Sequence, residues 1–189
     1  MNHPFGHQKL TIQKKSFIFL LMVTILIMAI MNVIGSPLKT PSAPYGIVSF
    51  EFAFSLARAQ EMISSWGLDS LLRATLIQGL DFLFPLVYSA ALGFGCLLTA
   101  NILCSRGKPL TGLGVPLVWG LVLAALLDYI ENIALVALLF GRLRSPFPEI
   151  AGVCAVIKFS IIITAIWYIF YGLVIRTLSS TFRDIQPDH

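Results

Sequence analysis

Histidine is almost missing from this chain. Its three copies are His3, His7 and the last residue, His189, so none readily joins a buried centre. That removes the HExxH zinc signature, most histidine-rich metal sites and a Ser/His/Asp triad at membrane depth. Charge is scarce too, at 12% of residues, about half of the roughly 25% usual in soluble domains. Cys96, Cys104 and Cys154 form no CxxC pair and read as small buried hydrophobes rather than redox or metal groups. No P-loop or dinucleotide fingerprint occurs, and Gly112 and Gly114 precede no basic phosphate-binding pattern. Paired DxxD motifs, which prenyl-diphosphate chemistry would invite, are absent, as is a convincing nucleophile. The basic residues give a net charge of +4 but form no stripe interleaved with aromatics, so no nucleic-acid partner is expected.

What the chain does have is apolar length. Hydrophobic residues make up 57% of its 189 residues, and they fall in long runs of the kind a hydrocarbon slab selects. At 1.5 Å per residue, runs at about 17–35, 82–104, 116–140 and 151–174 are long enough to span a bilayer core. The first is read as an uncleaved span rather than a signal peptide, because it is long and no A-x-A pattern follows. Pro37, Pro41 and Pro44 keep residues 36–46 irregular. A helix is predicted over about 47–66, with Glu51, Ser55 and Arg58 recurring on one side. Its charges favour an amphipathic, interfacial or partly inserted helix over a fifth span. Residues 68–80 read as a mixed segment. Pro85 is expected to kink the second span or relax its start, and Pro146 and Pro148 to end the third. The expected fold is therefore all-α: a single membrane domain over 1–189, an integral membrane four-helix bundle with an additional amphipathic outer helix.

Lys9, Lys14 and Lys15 beside the first span, with Arg106, Lys108, Arg176 and Arg183, place both termini in the cytoplasm and 36–80 outside. Trp167, Tyr168 and Tyr171 fit an aromatic belt at the far end of the fourth span. The expected partners are the lipid bilayer and either a second copy of the chain or another membrane protein.

The chemistry-bearing residues are ionisable groups at membrane depth. Asp128, Glu131 and Asn132 lie three and four apart, so a helix points them broadly one way. The topology brings Asp81 and Lys158 to the same side of the bilayer, and Glu51 and Arg58 can close over them from the outer helix. A charged group in a helix centre carries about +2.5 to 3.5 kcal/mol on insertion scales, so such residues should face the interior and pair. The candidate substrate- or ion-binding set is Glu51, Asp81, Asp128, Glu131, Asn132 and Lys158, with Arg58 and Tyr88 secondary. Tyr88, Phe84, Trp119, Tyr129 and Trp167 each read first as packing residues. The acids outnumber the bases. Either some acids hold protons, or a cation visits, or some reach water. Three readings stay open: pairing that only fixes helix register, binding or transport of a small cation or proton-coupled solute, and acid–base or metal chemistry on a lipid substrate. An accessory-subunit role belongs with the first. No catalytic residue and no cofactor is assigned; a divalent cation held by carboxylates alone stays open.

The stretches APYGIVSFEFA, LDFLFPLVYSA and LLDYIENIALV resemble small bacterial multi-span integral membrane proteins of uncharacterised activity, over about Ser42 to Ile175. The resemblance implies a bacterial inner membrane and marks Glu51, Asp81, Asp128 and Glu131 as positions of interest. It implies nothing about substrate.

Overall fold

The computed structural model describes residues 10–185, with side chains described through 178. His3, His7 and His189 lie outside these residues, as does the side chain of Arg183. Among the described residues every regular element is helical. Seven α-helices follow one another: α1 (Leu10–Ile34), α2 (Ile47–Glu51), α3 (Leu56–Ser65), α4 (Leu68–Asp81), α5 (Phe84–Ser105), α6 (Gly114–Leu139) and α7 (Phe147–Ile185). Four of them, α1, α5, α6 and α7, are long and apolar enough to cross a membrane.

The long helices end where the backbone chemistry tells them to. After α6, Gly141 adopts a positive φ of 81°. Its N–H donates to the Leu138 carbonyl at 3.0 Å, and that of Arg142 to Ala137 at 2.9 Å. The end of α5 repeats this at Gly107, where Lys108 N–H reaches the Leu103 carbonyl at 2.9 Å. Both are glycine-terminated caps that satisfy the last carbonyls. The expectation that Pro146 and Pro148 end the third span is corrected accordingly. Gly141 ends it, and Pro148 sits in the first turn of α7, where a missing N–H does no harm. Pro85 lies in the first turn of α5.

α6 is the central helix. It buries Val118, Leu121, Ala124, Ala125, Ala134, Leu135 and Leu138 against its neighbours and leaves Trp119, Leu123, Leu126, Ile130 and Ile133 on its outer side. One apolar core lies between α5, α6 and α7 around Cys96, Leu97, Val118, Leu121 and Tyr168. Close approach there depends on Gly172, where an added Cβ would lie 2.5 Å from Thr99 Cγ2. α1 packs along α5, and most of its apolar surface is exposed.

A second core, around Phe50, Met62, Trp66, Ile77, Leu135 and Leu138, belongs to a roof of short helices, and here the structure corrects the sequence reading. The single amphipathic helix expected over 47–66 is two helices. They part at Phe52–Ser55, where Phe54 takes φ 53°. The Ser55 side chain caps α3 by accepting from Arg58 N–H at 3.3 Å. The Phe54 ring occupies the space beside Gly152 of α7, 2.4 Å from where a Cβ would stand. The mixed segment is itself a helix, α4, burying Ala74, Ile77, Gln78 and Asp81 on one side at helical spacing. The roof is pinned by Trp66, whose Nε1 donates to the Leu38 carbonyl at 2.9 Å and whose ring meets Phe50 edge-on at 5.4 Å. Cys96 and Cys154 are buried as expected, but Cys104, one residue from the end of α5, is exposed.

Candidate functional site

Beneath the roof the ionisable residues meet. On α6, Asp128, Glu131 and Asn132 share the buried side with Ala124 and Leu135, as their spacing requires. Lys158 enters from α7 beside Ala151, Cys154 and Ala155, all buried. Its long apolar stem lets Nζ reach the acids. Nζ lies 2.8 Å from Asp128 Oδ1 and 2.8 Å from Glu131 Oε1, donating to both. Glu51, the last residue of α2, brings Oε2 to 3.7 Å of the same nitrogen. That is an ion pair too long for a hydrogen bond. Lys158 also stands 5.0 Å from the centre of the Phe159 ring, a cation–π distance.

Tyr88 of α5 donates its hydroxyl to the other Asp128 oxygen at 2.9 Å, so both oxygens of Asp128 are satisfied. Asn132 links the cluster to α4. Its amide nitrogen donates to the backbone carbonyl of Asp81 at 3.0 Å, and its oxygen accepts from Gln78 Nε2 at 3.3 Å. The Asp81 carbonyl is the one that residue 85 would satisfy in a continuous helix. Pro85 has no N–H to give, and Asn132 supplies the donor instead. Pro85 thus frees a backbone carbonyl, and Asn132 occupies it.

All six main candidates converge, and every one is buried: Glu131 and Asn132 have no exposed surface, and Glu51, the most exposed of the six, shows 6%. Arg58 does not join them. It is exposed and pairs with Glu61 at 3.3 Å, because the break at Phe52–Ser55 takes α3 out of register with α2. Tyr88 does more than pack, since it completes the shell of Asp128. Gln78 was missed in the sequence. The only signal for it was helical spacing with Ala74, Ile77 and Asp81.

Three carboxylates, those of Glu51, Asp128 and Glu131, pair with one ammonium, and the hydrogen bonding is incomplete. Glu51 Oε2 and Glu131 Oε2 are buried with no hydrogen-bond donor. Burial raises the Glu51 carboxyl above the usual range; the charge of Lys158 opposes this and that of Asp128 adds to it. Burial pushes the Asp81 carboxyl up to about 7. The charges of Asp128 and Glu51 add to this, and Lys158 and Asn132 oppose it. These acids lie on α2 and α4, outside the four long apolar helices. Among the described residues no group of three or more His, Cys, Asp or Glu is placed to hold a metal ion. The arrangement is chemically suited to holding protons on closely spaced carboxyls and to exchanging a proton for positive charge. The chain matches no protein family, no curated protein and no solved structure.

Proposed function

We propose that this chain is a multi-span membrane protein of a bacterial inner membrane, with both termini cytoplasmic, whose buried cluster takes up a proton or small cation from the side of the roof. One observation carries the reading: two buried carboxylate oxygens, on Glu51 and Glu131, lack a donor in a site where acids outnumber the single Lys158. A proton placed between them would give both oxygens a partner and lower the excess negative charge. Lys158 would hold Asp128 and Glu131 in one state and yield to the arriving charge in another. Four helices make a thin wall for alternating access, so the working unit in this reading is a dimer.

A second reading, in which the cluster only fixes helix register, draws on the Gln78–Asn132–Asp81 chain, which joins α4 to α6 with neutral groups. Proteoliposome flux assays separate the two. Proton or cation uptake by the natural chain, abolished in Glu131→Gln and reduced in Asp128→Asn, supports the proposed function. Folded protein with no flux in any form across a broad cation panel refutes it and favours the register role. A lipid density or metal ion lodged against Asp81 and Glu131 would instead favour membrane-embedded enzyme chemistry.

A further inference from the structure

At the end of the molecule opposite the roof, α1, α5 and α7 enclose a groove of about 640 Å³. Its closed end is at Gly95, where the three helices crowd together. A Cβ there would lie 2.6 Å from Ile169 Cδ1 and 3.0 Å from Phe17 Cε2. From Gly95 the groove opens along α5 past Leu98 and Ile102 as far as Arg106, with Leu173 on the α7 wall. The eleven helical steps from Gly95 to Arg106 cover about 16 Å, roughly half of a hydrocarbon core of about 30 Å. The groove is therefore as long as one leaflet's acyl region.

Its open end carries charge of one sign. Lys14, Arg106 and Arg176 line it. Lys14 and Arg176 are exposed, and Arg106 Nη1 donates to the Ile175 carbonyl at 2.7 Å, tying the end of α5 to α7. Lys15 and Lys108 stand nearby in sequence. The chain has no acid before Glu51, between Asp81 and Asp128, or between Lys158 and Asp184. No acidic side chain among the described residues neutralises this end. At the roof end Arg58 and Arg73 pair with Glu61 and Asp69, while Arg142 and Arg144 also stand there, Arg144 over the Phe147 ring at 5.5 Å.

We infer that this groove binds one anionic phospholipid, an acyl chain lying along α5 between α1 and α7 and the phosphate held by Lys14, Arg106 and Arg176. Apolar length closed at mid-membrane and uncompensated basic charge at headgroup depth fit that ligand together. A zwitterionic lipid would fill the same apolar space without answering the charge. The inference rests on the chain being membrane-embedded but not on the buried cluster carrying protons.

The test uses the full chain in detergent, titrated with phosphatidylglycerol, phosphatidylcholine or inorganic phosphate and read by native mass spectrometry and thermal shift. Phosphatidylglycerol is expected to be retained at one per chain and to raise the melting temperature, with phosphatidylcholine and inorganic phosphate weaker by tenfold or more. Each basic residue near an anionic surface is worth about fivefold, so Lys14→Gln with Arg176→Gln should weaken phosphatidylglycerol about 30-fold. Lys39→Gln with Arg73→Gln, at the roof end, should leave it unchanged. Leu98→Trp, which fills the groove while keeping the charges, should also displace the lipid. Equal binding of the two lipids, equal loss in both charge-removed pairs, or binding of free phosphate as tight as lipid would each overturn the inference. So would a dimer whose contact buries the groove.

Discussion

Replacing Lys158 with Met removes the one cation that two buried carboxylates share, and its effect can be worked from the distances. At 2.8 Å, each pair is worth roughly 6 kcal/mol at an effective dielectric constant of about 20. Dehydrating each ion costs several kcal/mol. The intact cluster is thus near balance, while the variant keeps the dehydration and loses the attraction. Breaking a buried pair in this way typically costs about 3–5 kcal/mol. The loss has a ceiling for each carboxylate left unpaired, because protonating a carboxyl of ordinary acidity at pH 7 costs about 4 kcal/mol. That escape becomes easier as pH falls, so the deficit should shrink toward pH 5. Equilibrium unfolding in mixed micelles at several pH values measures both features. Arg73→Met, which breaks an exposed pair with Asp69, is the control and should cost about 0–1 kcal/mol. Adding Asp128→Asn and Glu131→Gln to Lys158→Met should recover most of the stability. The reasoning fails if Lys158→Met costs no more than Arg73→Met, or if the triple variant is less stable than the single.

The Asp81 carboxyl, raised from its ordinary value to about 7, keeps its proton longer in the folded chain than in the unfolded one. Its contribution to stability should therefore be fully present below about pH 4, fall as pH rises to about 7 and stay level above that; Asp81→Asn should remove this slope from an unfolding titration, and an unchanged slope would count against burial of the acid. Gly152→Ala sets a methyl 2.4 Å from the Phe54 ring and should cost about 1–3 kcal/mol as overpacking. Phe54→Ala should relieve much of that in the double variant, and strictly additive losses would disprove the contact. Cys104 is exposed while Cys96 and Cys154 are buried, so maleimide should label one thiol in the folded chain. In intact cells an impermeant maleimide should leave Cys104 untouched, and labelling there would reverse the proposed orientation.

The parts of this molecule visible in its sequence are those where two signals conflict in a short space. A carboxylate inside a long apolar run is conspicuous, so Asp128, Glu131 and Lys158 stood out, and helical spacing alone aimed the α6 residues one way. The chain order of the long helices then brought Asp81 to the same end. The roof was harder to see. Between Phe52 and Ser55 there is neither proline nor glycine, and apolar residues continue on both sides, so the periodicity runs through the break. Only Ser55 announces a new helix, and serine inside an amphipathic pattern is unremarkable by itself. Missing that break carried Arg58 into the cluster on paper. The same continuity hid α4, whose outer surface mixes Leu68, Leu72 and Leu76 with the exposed Asp69–Arg73 pair and so blurs the polar side that marks an ordinary amphipathic helix. Gln78 was lost with it.

The roof over the cluster ends in a helix of only five residues, α2. Such a segment is far below the length at which a helix persists alone in water. Its survival depends on Phe50 against Trp66, on the Phe54 ring beside Gly152 and on Glu51 near Lys158. α2 is thus expected to behave as a separate opening unit, with an opening free energy below that of the long helices. Amides 47–51 should exchange with solvent deuterium well before those of α6. Because Glu51 is both part of that unit and part of the charged site, its exchange rate should follow the ionisation of the cluster. Hydrogen exchange at this one turn therefore reads out proton occupancy in the bundle without any substrate being known.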